Sequence, residues 1–143
     1  MHIKDICGRS LVTCHRDLSA EEVAQLMRDQ FVEDVIVVDE RANGLTPVGI
    51  VTFRDMVVRV VANRSDPLLT TAGDIMTGAP DTVHESELIY AAIARMRDRR
   101  ISRLVVVDSR DALVGVLSAD DVAEFLAAEL SEVARISPRR MAP

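Results

Sequence analysis

The chain has 143 residues, 48% of them hydrophobic, and a formal net charge of -6, enough apolar material for one compact domain or two small repeats sharing a core. With three Phe, one Tyr and no Trp it offers no aromatic platform for single-stranded nucleic acid, and its acidic balance excludes a general binder of phosphate backbones. No nucleic-acid partner is expected. No apolar run reaches membrane-spanning length and the N-terminus lacks signal-peptide order, so a cytoplasmic protein without membrane contact is expected.

In chain order, residues 3–6 form a short apolar-spaced stretch, residues 8–10 a polar turn and residues 11–14 a brief strand. Ser19 and Glu22 then read as an S-x-x-E capping box opening a helix, with Val23, Leu26, Met27 and Phe31 expected on one face. Residues 35–38 (V-I-V-V) suit a strand covered on both faces, and residues 39–46, containing Asn43-Gly44, are expected to be a loop. The next strand, residues 48–51, runs straight into a turn. This stretch, V-G-I-V-T-F-R-D, ends at Asp55 and returns as V-G-V-L-S-A-D-D ending at Asp121.

The duplication extends well beyond that turn. Met27 and Met96 stand 69 residues apart, as do Val35 and Leu104, whereas Gly49 and Gly115 stand 66 apart. A shorter second loop accounts for the change in offset, and loop length is cheap to alter. The second copy starts at Gly73-Asp74-Ile75-Met76 and turns at residues 78–80. Ile89, Ala92, Ile93 and Met96 supply its helical stripe, and residues 104–107 and 113–117 its strands. Residues 1–64 are thus expected to form the first repeat, 65–72 the linker, 73–130 the second repeat, and 131–143 a helix end and tail.

Each recurring turn places a hydroxyl and an Asp where a strand passes into a helix. Free N–H groups and the helix dipole favour a phosphate there, and a carboxylate offers two acceptors to a sugar diol. The same T-x-x-D and S-x-x-D patterns also describe a hydroxyl N-cap with an acidic residue in the first turn, which only finishes a helix. Two copies in one setting tilt the reading toward a ligand.

The helices after the turns differ. In residues 56–62, Met56, Val57, Val58, Val60 and Val61 cover more than the ~100° stripe needed for one core contact, which predicts self-association, as a dimer. The helix after Asp121 has a narrower expected core stripe of Val122, Phe125, Leu126, Leu130 and Val133. Residues 137–143 read as a frayed tail, with Arg139-Arg140 too short for a nucleic-acid patch.

Cys7 and Cys14 lie near His2 and His15, but C-x6-C matches no common zinc spacing, and Val83 takes the place of Cys14 in the second copy. No metal site is expected. Neither the three His nor the two Cys have a nucleophile context, so catalysis is not expected.

The ordered series I-M-T at residues 75–77, A-x-x-x-M at 92–96, I-S-R-L-V-V-V-D at 101–108 and G-V-L-S-A-D-D at 115–121 resembles the CBS domain pair, or Bateman module, over nearly the whole chain. That resemblance implies an α/β (α+β) fold of two β-α-β-β-α repeats with pseudo-twofold symmetry, dimerisation of pairs, and two clefts that often hold adenosine nucleotides. By the same resemblance, the first cleft would use Thr52 and Asp55, an adenine wall of Gly8, Thr13 and Val32, and Ser102 with Arg103 for phosphate, assisted by Lys4. The second would use Ser118 and Asp121, with Thr77, Thr82 and Ile101 around the base. There Glu33 and Asp34 stand where a phosphate site wants a cation, so asymmetric occupancy is expected.

The expected function is non-catalytic sensing of an adenosine nucleotide of the AMP, ADP or ATP class as a regulatory ligand, signalling to a separate protein partner. The alternatives are an interaction scaffold with vestigial clefts and a sensor of S-adenosylmethionine or NAD-type ligands.

Overall fold

A computed structural model describes residues 1–9 and 11–136; Ser10 of the expected first turn and the expected tail, residues 137–143, lie outside the described residues. Two three-stranded sheets have the same topology. In the first, β1 (Thr13–Cys14) lies parallel to β2 (Asp34–Arg41), which pairs antiparallel with β3 (Gly44–Thr52), in the order β1-β2-β3. Helix α1 (Ala20–Gln30) makes the parallel crossover, and α2 (Phe53–Asp55) follows β3, continuing as a π-helical stretch, Met56–Val61. After α3 (Ala72–Ile75) the second sheet repeats the plan with β4 (Thr82–His84), α4 (Ile89–Arg99), β5 (Arg103–Val107) and β6 (Leu113–Ser118), and α5 (Ala119–Arg135) closes it.

Helix α1 begins where the capping box predicts. Ser19 Oγ accepts from the Glu22 N–H at 3.2 Å, and Glu22 Oε2 accepts from the Ser19 N–H at 3.0 Å. Its end differs from expectation, because Phe31 adopts a left-handed φ of 55° and is 95% exposed. The helical stripe therefore stops at Met27. Nor are residues 39–46 a loop, since β2 and β3 run on as a hairpin with Arg41 opposite Gly44. A two-residue turn suffices because Gly44 takes φ 118°, a conformation costly for any residue with a Cβ.

The middle strands explain the layering. Val35 and Val37 of β2 enter the first core with Val23, Met27 and Val51, while Ile36 and Val38 face the other way against Val105 and Val107 of β5. In β5, Leu104 and Val106 likewise enter the second core, with Val83, Met96 and Leu117. Period-two alternation thus turns one face of each middle strand to its own helices and the other to its counterpart, which welds the repeats together.

Packing does not follow the contiguous division of the chain. Ile3, fully buried, belongs to the second core, and its N–H donates to the Glu87 carbonyl at 3.0 Å. Conversely, Ala72 and Ile75 of α3 belong to the first core. The leading segment of each repeat is therefore laid on the other repeat.

The recurring glycines make this exchange possible. A Cβ at Gly115 would stand 2.5 Å from the Gly8 carbonyl oxygen, and one at Gly49 would stand 2.8 Å from that of Thr77. The crossing segments run so close over these positions that only a hydrogen fits.

The helices after the turns also depart from expectation in part. Val60 is buried, while Val57, Val58 and Val61 face outward, in keeping with the excess apolar surface read for this helix. The narrow core stripe expected on α5 is not found: Val122 is buried and Phe125 packs on the core, but Leu126, Leu130 and Val133 are exposed. These three lie beyond the reach of the second core.

Candidate ligand cavity between the repeats

Both recurring turns form complete capping boxes. Asp55 Oδ2 accepts from the Thr52 N–H at 2.9 Å and from Thr52 Oγ1 at 3.0 Å, and the Asp55 N–H donates back to Thr52 Oγ1 at 3.3 Å. Asp121 Oδ2 accepts from the Ser118 N–H at 2.8 Å and the Ser118 hydroxyl at 2.7 Å, and the Asp121 N–H donates back at 3.0 Å. One carboxylate oxygen in each turn thus serves the helix start.

Their second oxygens meet different surroundings. Asp55 is 7% exposed; its Oδ1 lies 3.5 Å from the Thr77 hydroxyl, which also donates to Oδ2 at 3.3 Å, and 3.6 Å from Arg59 Nε. Asp121 is half-buried, and its Oδ1 makes no hydrogen bond among the described residues.

Beside the first turn the two sheets leave a cavity of about 240 Å³ lined by Asp34, Ile36, Ile50 and Thr52 from the first repeat and by Thr77, Asp81, Ile101, Arg103, Leu104 and Val116 from the second. That is just below the range of small-molecule pockets, about 300–1,000 Å³. Beside the second turn Asp121 borders a more open depression of about 230 Å³ with Ile6, Glu124 and Phe125.

The exchange of leading segments rearranges the expected clefts. Thr77 pairs with Ile50, N–H to carbonyl at 2.9 Å, and so joins Thr52 and Asp55 rather than Ser118. Gly8, its counterpart, pairs with Val116 on the second sheet and does not line the cavity. Ile101, expected beside Asp121, lines the cavity with Thr52 and Arg103. Ser102 does not; its carbonyl accepts from the Ala119 N–H at 2.8 Å, at the start of α5. Lys4 likewise lies on the second repeat, its N–H donating to the Glu85 carbonyl at 3.0 Å.

The remaining expected residues lie apart. Thr13 borders a separate open groove with His15 and Glu22, and Val32 packs on the first core. Thr82 lines a polar surface groove, its carbonyl accepting from Arg95 at 2.6 Å. Asp34, read as part of the second cleft, faces the same cavity as Arg103, whose Nη1 donates to Asp34 Oδ2 at 2.7 Å.

Ile36, Ile50, Asp81 and Val116 also line the cavity, although no motif marks them as site residues. Alternation along β2 carries the signal for Ile36, since neighbours of core-facing Val35 and Val37 must face the opposite sheet.

Cys14 is buried, and burial pushes its thiol up to about 11; a neutral thiol in the first core acts as a small apolar side chain. Among the described residues no group of three or more His, Cys, Asp or Glu is placed to hold a metal ion, and no helix is long and apolar enough to cross a membrane.

The model of the CBS domain matches residues 3–62 and 72–128. The chain belongs to the CBS domain family. A CBS domain protein of Pyrobaculum aerophilum, PAE2072, solved in complex with AMP, is 31% identical, with a TM-score of 0.76 over 94% of this chain and 99% of that one. The CBS domain pair of protein MJ0100, solved with 5′-methylthioadenosine and S-adenosylmethionine, is 27% identical, with a TM-score of 0.71 over 88% of this chain and 99% of that one.

Among curated relatives, the protein MK0525 of Methanopyrus kandleri is 31% identical over 133 residues, which are 91% of this chain and 66% of that protein. The homoserine O-acetyltransferase of Methanohalophilus mahii is 34% identical over 125 residues, 87% of this chain but 24% of the enzyme. The likeness to that enzyme thus spans about a quarter of its length.

Proposed function

We propose that this CBS pair is a non-catalytic regulatory module that takes an adenosine compound into the cavity beside Thr52, and that occupancy selects one relative geometry of the repeats. One observation carries the reading: a cavity walled by both sheets and apolar along β2, β5 and β6 is also lined by Thr52 and Thr77, whose hydroxyls both contact the Asp55 carboxylate. Flat apolar walls suit a purine, and the hydroxyls and the Asp55 carboxylate behind them suit a sugar. The AMP complex of PAE2072 and the S-adenosylmethionine complex of the MJ0100 pair support the ligand class. AMP, ADP, ATP, S-adenosylmethionine and NAD all present the adenosine portion that this surface suits.

Exposed apolar residues on the π-helical stretch after α2 and on α5 support pairing of two copies, and the signal would pass from that assembly to a separate protein. A thermal-shift panel of the five compounds tests the sensor. At a hundredfold excess over Kd the right ligand adds about 2.7 kcal/mol, a clear rise in Tm. A pure interaction scaffold would melt unchanged with all five.

A further inference from the structure

The charge lining the cavity narrows the ligand class, given the reading above that an adenosine compound binds there. Arg103 is the one cation among the described lining residues, facing two carboxylates, Asp34 and Asp81. Asp81 is held by Arg99 at 2.5 Å, from outside the cavity lining. Arg103 is already engaged, since its Nη1 donates to Asp34 Oδ2 at 2.7 Å. The two residues open the middle strands β2 and β5 at equivalent positions, 69 residues apart. What duplication would make a pair of identical side chains is here an anion and a cation closing on each other.

We infer that Asp34 is a specificity-determining residue that occupies Arg103 and turns the cavity against anionic tails, so that the compound it takes is a nucleoside without a phosphate near Arg103. A phosphate reaching the remaining guanidinium donors would stand beside the Asp34 carboxylate. Either the ion pair breaks and leaves a carboxylate facing the phosphate, or the two anions share one cation. Both cost affinity, most at low salt, where a pair as exposed as this one is least screened. An uncharged nucleoside, or one whose 5′ substituent is neutral or cationic, meets no such opposition, and a built-in repulsive group is a common route to selectivity.

Isothermal titration of the full chain with adenosine, 5′-methylthioadenosine and AMP at low salt tests this. The unaltered protein is expected to bind the two nucleosides about tenfold or more tighter than AMP. Asp34→Asn keeps an acceptor for Arg103 and removes the charge, so AMP affinity should rise about tenfold while nucleoside affinity moves less than about threefold. Adding Arg103→Gln should abolish the gain, which a merely structural role for Asp34 would not produce.

AMP binding as tight as adenosine, with a ratio that Asp34→Asn leaves unchanged, overturns the role of Asp34 while leaving the cavity reading intact. No binding of any of the three, to a protein whose melting shows it folded, overturns both.

Discussion

Gly8 and Val116 exchange both backbone hydrogen bonds, Gly8 N–H to Val116 carbonyl at 2.9 Å and Val116 N–H to Gly8 carbonyl at 3.0 Å. This pair pins the N-terminal segment to the far repeat, and Gly115 beneath it leaves the necessary room. Gly115→Ala must push the Gly8 backbone away or lose the pair. A destabilisation of about 1–3 kcal/mol is expected, read as a lower urea midpoint at unchanged slope. Gly78→Ala is the control, because a Cβ there meets nothing within 4 Å.

The two turn carboxylates should differ in what they contribute to stability. Asp55 is buried and also accepts from Thr77, on the segment crossing from the other repeat. Asp55→Ala leaves several donors without an acceptor and should cost about 1–3 kcal/mol. Asp121→Ala removes one side of a more exposed cap and should cost about 1 kcal/mol or less. Equal shifts in denaturation midpoint would show that the Thr77 bond contributes nothing.

Val61 is 71% exposed and Leu130 is 69% exposed, each on a helix following one of the turns. If two copies pair through these helices, light scattering behind size exclusion gives a mass twice the 15.7 kDa of the chain. Val61→Asp places a charge in that interface, and the mass should fall to one chain. An unchanged dimer of Val61→Asp and Leu130→Asp would place the interface elsewhere.

Asp39 and Asp108 end the two V-V-D runs, and both are held below the ordinary carboxylate range, for different reasons. Hydrogen bonds from Arg16 at 2.9 and 2.8 Å hold Asp39 below the ordinary carboxylate range. The backbone N–H of Ala112 and then that of Arg110 do the same for Asp108. With folded values depressed, their stabilising contribution is present above the unfolded value of about 4 and lost as pH falls through the folded values. The gap in urea midpoint between the unaltered protein and Asp108→Asn should therefore narrow on going from about pH 6 to about pH 3. A gap that stays the same at the acid end would mean that the charge of Asp108 is not what stabilises the turn.

Much of this molecule is legible in local pattern. The Ser19 capping box, the two-sided strand at residues 35–38 and both hydroxyl-aspartate turns follow from spacing alone, because each depends on neighbours within a few residues, and the repeat follows from matching such patterns 66 to 69 residues apart. The outward turn of Phe31 is less accessible, since nothing in its neighbourhood marks it as left-handed.

Which repeat receives the segment holding Ile3 and Gly8 is a different matter. Gly49 and Gly115 offer two alike grooves, and an apolar spacing that fits one fits the other, so only the assembled chain decides that Gly8 meets Val116 and Thr77 meets Ile50. The composition of the cavity follows from that choice. Thr52, Thr77, Ile101 and Arg103 become neighbours, and Asp34 closes on Arg103, because packing brings together equivalents 69 residues apart that no local period relates.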